Sequence, residues 1–322
     1  MLDKYLNQYS TLKTDRNRNR WTGATCGRAP HKPFLLLSIM DLIAQGLIAR
    51  NFIEPSLELV ETWNGYWNLI MPFGQSSSMA YPFYHMRSEP FWSLIPNPGR
   101  EDLPGRTFSS MSRVREVYAG AMMDEGLFAF LLNNQTREKL RAVLVETYFA
   151  ADIRPAICEH GLINYGAEIY KRKVLQEAKE ELAWFQSQSD PARDKKVRDQ
   201  GFRKAIVKLY EHRCALCGIR ILTPEGHTVV EAAHIVPWSK SRDDHPTNGL
   251  CLCRLCHWFF DEGLMSVGLD YEVLVSRKAR GDRNLLGHIL TLSDRPIFKP
   301  EAELYHPAQR NLEAHRRQTF IR

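Results

Sequence analysis

The stretch that runs from Cys214-Ala-Leu-Cys217 through VVEAAHIVPW (229–238) and Asn248-Gly-Leu to Cys253-Arg-Leu-Cys256-His257 and FFDEG (259–263) decides the fold of the C-terminal part of this chain. It holds two CxxC knuckles separated by 35 residues. Four thiolates at that spacing predict a closed tetrahedral zinc site of the structural kind, with Cys214, Cys217, Cys253 and Cys256 as ligands. The element between the knuckles is short of apolar mass. Metal binding there becomes folding free energy, of order 10–16 kcal/mol for small zinc peptides. Of the seven cysteines in the chain, five fall between Cys214 and Cys256, a clustering that reads as metal binding rather than disulfides in a reducing compartment. Cys251 is left over, and a buried, unliganded thiol is expected there.

Three more residues of this stretch, His234, Asn248 and His257, are not explained by a zinc finger. With them the sequence resembles the HNH endonucleases, whose ββα-metal core would span about residues 205–280: AHIVPW, N-G-L-x-L-C-x-x-C-H and FDEG follow one another in order. Phosphodiester hydrolysis needs a group that takes a proton from water near pH 7, which a neutral imidazole can do. It also needs a cation to neutralise charge on the phosphate and the leaving 3′ oxygen. The resemblance implies His234 as general base, His257 as metal ligand and Asn248 as the orienting residue. Many HNH enzymes place Asp or His just before the catalytic histidine as a second ligand, but here that position is Ala233. Asp261, one helical turn after His257, is the first candidate replacement and Glu231 the second. One imidazole with carboxylate and phosphate oxygens suits Mg²⁺ or Mn²⁺.

Working outward, 322 residues with 44% hydrophobic and 25% charged content suffice for two globular domains. There is no apolar run of membrane-spanning length, and the start MLDKYLNQYS lacks the apolar core of a signal peptide, so a cytoplasmic protein is expected. The net charge of +6 is unevenly placed. Lys13, Arg16, Arg18, Arg20, Arg28 and Lys32 form one basic stretch, and Arg193, Lys195, Lys196, Arg198, Arg203, Lys204 and Lys208 another. Cations so clustered attract polyanions by releasing condensed counterions.

The overall class expected is α+β: a mixed α/β DNA-reading domain over 1–165, a helical linker over 166–198 and the HNH domain over 199–322. Residues 33–47 have helical apolar spacing, with Pro33 in the first turn and Gly46 as the stop. The aromatic stretch Trp63–Phe73, YPFYHM (81–86) and Pro90–Trp92 read as strands or extended segments, with GQSSS and NPG as turns. Helices are expected near 118–133 and 137–149, with Thr136 as an N-cap. Residues 167–188 read as a charged helix with Leu175, Ala178, Leu182 and Phe185 on one face, and SQSDPARD (187–194) as the boundary. Phe202, Ile206, Val207 and Tyr210 then form one face of a helix leading to Cys214.

Two N-terminal features, Gly27-Arg-Ala-Pro-His-Lys-Pro33 and SSSMAYPFYHMRSEPFW (76–92), together resemble the sulfur-binding domain of phosphorothioate-dependent HNH restriction endonucleases. That family binds DNA in which sulfur replaces a non-bridging backbone oxygen. The resemblance implies Tyr81 and Pro82 as the wall of a sulfur cavity and His31 as its polar neighbour. His85 stands where relatives carry a smaller residue. Arg28, Lys32, Phe83 and Arg87 complete the implied DNA-binding set. Sulfur is larger and more weakly hydrated than oxygen, so an apolar cavity favours it, whereas burying a hydrated oxygen without partners costs free energy. The implied partner is double-stranded phosphorothioated DNA, cut either by a homodimer or by sequential nicking. Two other readings stay open: an HNH nuclease directed at another modification such as a methylated base, and a non-catalytic regulator that uses the zinc module to bind DNA.

Overall fold

Helix α2 (His31–Ala44), the apolar run expected from residue 33, has twelve of its fourteen residues buried. A helix apolar on every side belongs in the middle of a domain. The computed structural model describes residues 1–100, 108–177, 191–277 and 287–321. They divide into one unit of Met1–Tyr165 with Pro224–Gly226, and a second of Gly166–Thr223 with His227–Arg322.

In the first unit α2 packs against α3 (Leu57–Ile70), α4 (Ala80–His85), α6 (Glu125–Leu132) and α7 (Asn134–Tyr148), α5 (Met111–Val117) lies on α4, and α1 (Leu2–Ser10) lies on α7. Gly46 ends α2 as read from the sequence. At φ 71° its N–H bonds Ile43 O, and Leu47 N–H bonds Leu42 O, a Schellman closure that a Cβ would strain. Asp41, buried on α2, is matched on both oxygens. Arg141 (2.9 Å) holds Oδ1, and Tyr66 (2.8 Å) and Asn164 (2.9 Å) hold Oδ2. A buried carboxylate paired in this way fixes how the helices meet; removing one partner would leave an uncompensated charge.

Several expectations for this unit are corrected. Trp63–Phe73 is not extended: its residues up to Ile70 lie on α3, where Trp63, Tyr66 and Trp67 are all buried. Aromatic enrichment suggested strands, but the i, i+3, i+4 spacing governs once the rings can share one buried face. YPFYHM begins on α4, with Pro82 tolerated in its first turn and Phe83 and Tyr84 buried. Of the extended trio Pro90–Trp92, Trp92 opens β1 (Trp92–Pro96). The helix expected from 118 starts as strand β2 (Tyr118–Met123), antiparallel to β1 with Trp92 opposite Met123. Pairing supplies its backbone hydrogen bonds despite helix-favouring Ala and Met. Only then does α6 begin, capped by Asp124. Helix α7 is capped by Asn133, whose side chain accepts from Thr136 N–H, and not by Thr136 itself.

The second unit opens in α8 (Arg154–Glu177) and continues in α9 (Pro191–Leu209). The positions Ala178, Leu182 and Phe185 of the charged helix, and the start of SQSDPARD, lie outside the described residues. Phe202, Ile206, Val207 and Tyr210 are buried as one face, as read. Gly201 lies against α8: a Cβ there would stand 2.9 Å from Ala167 O and from Tyr170 Cβ. Strands β3 (Val230–His234) and β4 (Gly249–Cys253) pair antiparallel, His234 opposite Gly249 and Val230 opposite Cys253. The short helix α10 (Trp238–Ser241) lies between them in sequence, and helix α11 (Arg254–Asp261) follows β4 without a loop and packs on both strands. This is the ββα arrangement expected. β5 (Met265–Val267) and β6 (Val273–Val275) add a second small antiparallel pair.

Candidate nuclease site and reading cavity

The four knuckle cysteines come together in the second unit, with all four Sγ atoms within 4.8 Å of one another. Tetrahedral thiolates about 2.3 Å from zinc stand about 3.8 Å apart, and Cys217 Sγ lies 3.8 Å from Cys253 Sγ. The donor set therefore fits structural zinc. The first knuckle is anchored by backbone: Cys214 N–H bonds Ile219 O, and Ala215 N–H bonds Cys251 O on β4. Cys253 ends β4 and Cys256 lies in the first turn of α11. Hydrogen bonds from the neighbouring thiols, Cys214 first, pull Cys253 well below the ordinary thiol range, and Cys214 likewise lowers Cys217 to about 7. Cys251 is fully buried and stands outside the cluster, its thiol pushed up to about 12 by burial.

His234, the last residue of β3, lies flat against Phe202 of α9, ring centroids 4.0 Å apart at 9°. Its Nε2 is 2.7 Å from Asp244 Oδ1. The other oxygen of Asp244 accepts from Tyr170 of α8 at 2.7 Å and faces Arg198 Nε of α9 at 3.6 Å. Asn248 is fully buried and spends its amide on the loop between the strands. Oδ1 accepts from Val236 N–H (2.9 Å), while Nδ2 donates to Val236 O (3.0 Å) and Asp243 O (2.9 Å). It thereby ties down the chain just after His234 and just before Asp244. Ala233 is buried in the core.

His257, on α11, sits between two carboxylates. Its Nδ1 is 3.7 Å from Glu231 Oε2 and its Nε2 3.4 Å from Asp261 Oδ2. These two candidates address opposite ring nitrogens. One cation on His257 would therefore share one carboxylate or the other. Glu231 is also held by Arg254 at 3.0 Å, while Asp261 is exposed. An imidazole nitrogen beside a carboxylate oxygen is a donor pair that suits Mg²⁺ or Mn²⁺.

Sequence reasoning missed Asp244 and Tyr170, read Phe202 only as part of a buried helix face, and saw Arg198 only as one charge in a basic run. A signal for Asp244 was present. The loop between His234 and Asn248 must return across the end of a two-stranded sheet, which brings its acidic pair, Asp243 and Asp244, close to the histidine. Tyr170 and Phe202 come from separate helices, and nothing local announces them.

In the first unit a cavity of about 600 Å³ is lined by His31, Lys32, Tyr81, Pro82, His85 and Arg87, together with Lys13, Thr14, Asp15, Arg20, Trp21, Ala29 and Ser88. Six of the eight DNA-binding candidates thus meet in one place. Phe83 does not line it; it is buried edge-on against Trp92. Arg28 lies instead over the ring of Tyr148. The ammonium of Lys32 is buried and turned to Glu89 at 2.5 Å and Ser88 at 2.8 Å, so its charge is matched internally. His31 Nε2 meets Ser77 Oγ at 2.8 Å, and its buried Nδ1 has no hydrogen-bond partner among the described residues. Burial first, then the charge of Arg20, lowers His31 to about 4, so the ring is neutral near pH 7. Asp15 in the same wall is engaged by Trp21 Nε1 at 2.8 Å.

Comparison with known proteins adds the following. Residues 214–268 match the HNH endonuclease family. No curated protein matches the sequence. Among solved structures the chain is similar to a modification-dependent TagI restriction endonuclease, with 24% identity over 36% of each chain and a TM-score of 0.28. The chain thus spans about a third of that enzyme's length. It is also similar to the type IV phosphorothioation-dependent restriction endonuclease ScoMcrA, with 13% identity over 96% of this chain and 99% of the other, and a TM-score of 0.30. Residues 214–268 are an HNH endonuclease domain.

Proposed function

We propose that this chain is a type IV-like restriction endonuclease that reads phosphorothioated DNA with residues 1–165 and cuts nearby phosphodiester bonds with its HNH domain over 199–322, residues 166–198 linking the two. In this reading His234 takes the proton from the attacking water, and Asn248 holds the loop that frames it. His257 holds a divalent cation with one of its flanking carboxylates, and the four cysteines hold structural zinc. A divalent cation supplies charge neutralisation at the phosphate and the leaving oxygen.

The observation that supports the sulfur reading is the wall of the cavity. Tyr81 and Pro82 face the same space as a histidine that burial keeps neutral, while Lys13, Arg20 and Arg87 stand at exposed positions on its lining. Exposed cations hold any DNA backbone, and the apolar surfaces of Tyr81 and Pro82 favour a weakly hydrated sulfur over a strongly hydrated oxygen. The volume, about 600 Å³, favours one competing reading: a flipped modified base between Trp21, His31 and Tyr81.

Binding of the full zinc-loaded chain to matched duplexes, without divalent cation and at physiological salt, tests this. We expect a duplex with one phosphorothioate to bind far better than plain DNA, for one phosphorus stereoisomer only, since a cavity on one side receives one of the two non-bridging positions. Pro82→Ser should erase the preference and keep the salt-sensitive residue of binding. Equal affinity for sulfurated and plain duplexes, with preference for a methylated one, would establish the base reading instead.

A further inference from the structure

The neighbours of His234 determine more than its place in the fold. A carboxylate only accepts hydrogen bonds, so the nitrogen 2.7 Å from Asp244 Oδ1, Nε2, carries a proton. Phe202, 3% exposed, covers one face of the ring. Tilting the ring would lose the stack on Phe202, and turning it over would lose the bond to Asp244. What remains is Nδ1, which has no hydrogen-bond partner among the described residues, on a side chain that keeps 21% of its surface accessible. Asp244 is itself held, with 8% of its side chain accessible and its second oxygen taken by Tyr170 and faced by Arg198. Arg198 in turn lies over the ring of Trp238 at 3.5 Å.

We infer that Asp244 is the positioning residue of the nuclease centre: it fixes His234 in the tautomer protonated on Nε2, so that Nδ1 is the atom that receives the proton of the attacking water, and Tyr170 and Arg198 keep Asp244 in place. This rests on His234 being the base. In the step so described, the water oxygen bonds phosphorus as its proton passes to Nδ1. The bond from phosphorus to the 3′ oxygen breaks with its electron pair on that oxygen, which takes a proton from solvent. The resulting imidazolium remains hydrogen-bonded to Asp244. An amide in place of the carboxylate can turn its NH₂ toward Nε2, moving the ring proton to Nδ1 and blocking the acceptor. In the Ser-His-Asp triad the same exchange lowers turnover about 10⁴-fold.

Two measurements on the full zinc-loaded chain test it. The first is the ¹⁵N spectrum of histidine-labelled protein, with the His234 signals identified by their loss in His234→Gln. The wild type should show a protonated Nε2 and an unprotonated Nδ1 for His234, and Asp244→Asn should move the proton to Nδ1. The second is cleavage of phosphorothioated plasmid DNA in saturating Mn²⁺. Asp244→Asn should lower kcat by about 10²–10⁴-fold, with KM and zinc content unchanged, and Asp244→Glu should recover part of the loss. Tyr170→Phe, which keeps the carboxylate, should lose severalfold in kcat and keep the wild-type tautomer. A wild-type His234 protonated on Nδ1 overturns the inference without any variant. So does an Asp244→Asn enzyme within threefold of wild type while His234→Ala is inactive. An active His234→Ala would overturn the base assignment as well, which separates the two failures.

Discussion

Replacing Asn248 tests how much of the proposed nuclease centre hangs on one buried amide. Asn248→Ala removes three hydrogen bonds, those to Val236 N–H, Val236 O and Asp243 O. At a net value of roughly 1 kcal/mol each, the loss is about 3 kcal/mol. For a domain of this size that is a fall of roughly 6–12 °C in the midpoint of its unfolding, at about 2–4 °C per kcal/mol. Asn248→Asp is nearly isosteric and keeps the acceptor toward Val236 N–H. It turns the second oxygen toward two carbonyl oxygens and buries a charge, so it should cost more than Ala at pH 7. On acidification, protonation restores one donor and the gap should narrow. Heating the full chain while following zinc release reports on this unit. Because the same amide frames His234 and Asp244, cutting should fall with stability. An Asn248→Ala protein that releases zinc within about 2 °C of wild type would refute the reasoning, since the bonds would then carry no net stability.

The other predictions are these. Cys214→Ser or Cys256→Ser should lose zinc, measured as metal per chain, and unfold the HNH domain; Cys251→Ser should keep its zinc, because its thiol lies outside the cluster. Glu231→Gln and Asp261→Asn should be compared by the Mn²⁺ concentration giving half-maximal cutting. The partner of His257 raises it severalfold, and an unchanged requirement in both variants removes both carboxylates from the cation. His31 gives a pH dependence. Its value is about 4 when folded and about 6.5 when unfolded, so the unfolded chain takes up the proton first as pH falls. Stability from keeping the ring neutral is complete above pH 6.5 and is lost between pH 6.5 and 4, by up to roughly 3 kcal/mol at about 1.4 kcal/mol per unit. His31→Gln should flatten the urea midpoint across that window, whereas a slope equal to wild type would mean that the ring is charged when folded.

The ββα element was legible through the resemblance to HNH endonucleases, and the motifs that carry it are local. Two residues between paired thiols and a histidine directly after the last cysteine leave few arrangements, and the structure pairs Val230 with Cys253 accordingly. Gly46 and Pro33 marked α2 because backbone conformation at helix ends depends on the residue itself. Trp63, Tyr66 and Trp67 misled because aromatics fit either a strand or a buried helix face, and only neighbours such as Phe34 and His31 decide between them. Tyr118–Met123 misled for the opposite reason, since its helix-favouring residues are overruled by a partner strand more than twenty residues away. The contacts of His234 with Phe202 and Asp244 were illegible in the same sense: which residue faces an imidazole is a property of packing across elements.

The adjacency of Cys256 and His257 has a practical consequence for any assay of the proposed cutting. One residue of the cysteine cluster is the covalent neighbour of the imidazole proposed to carry the catalytic cation, and both ride on the same short helix. On the proposed reading a chelator has two ways to silence cutting. The quick one strips a labile hard cation from an otherwise intact enzyme, and fresh Mg²⁺ or Mn²⁺ undoes it at once. The slow one withdraws zinc from four sulfurs and loosens the helix beneath His257, and no amount of Mg²⁺ repairs that. Inhibition by a weak oxygen chelator and by a strong nitrogen chelator should accordingly differ in reversibility, and only the second history should leave a protein that must be refolded with zinc.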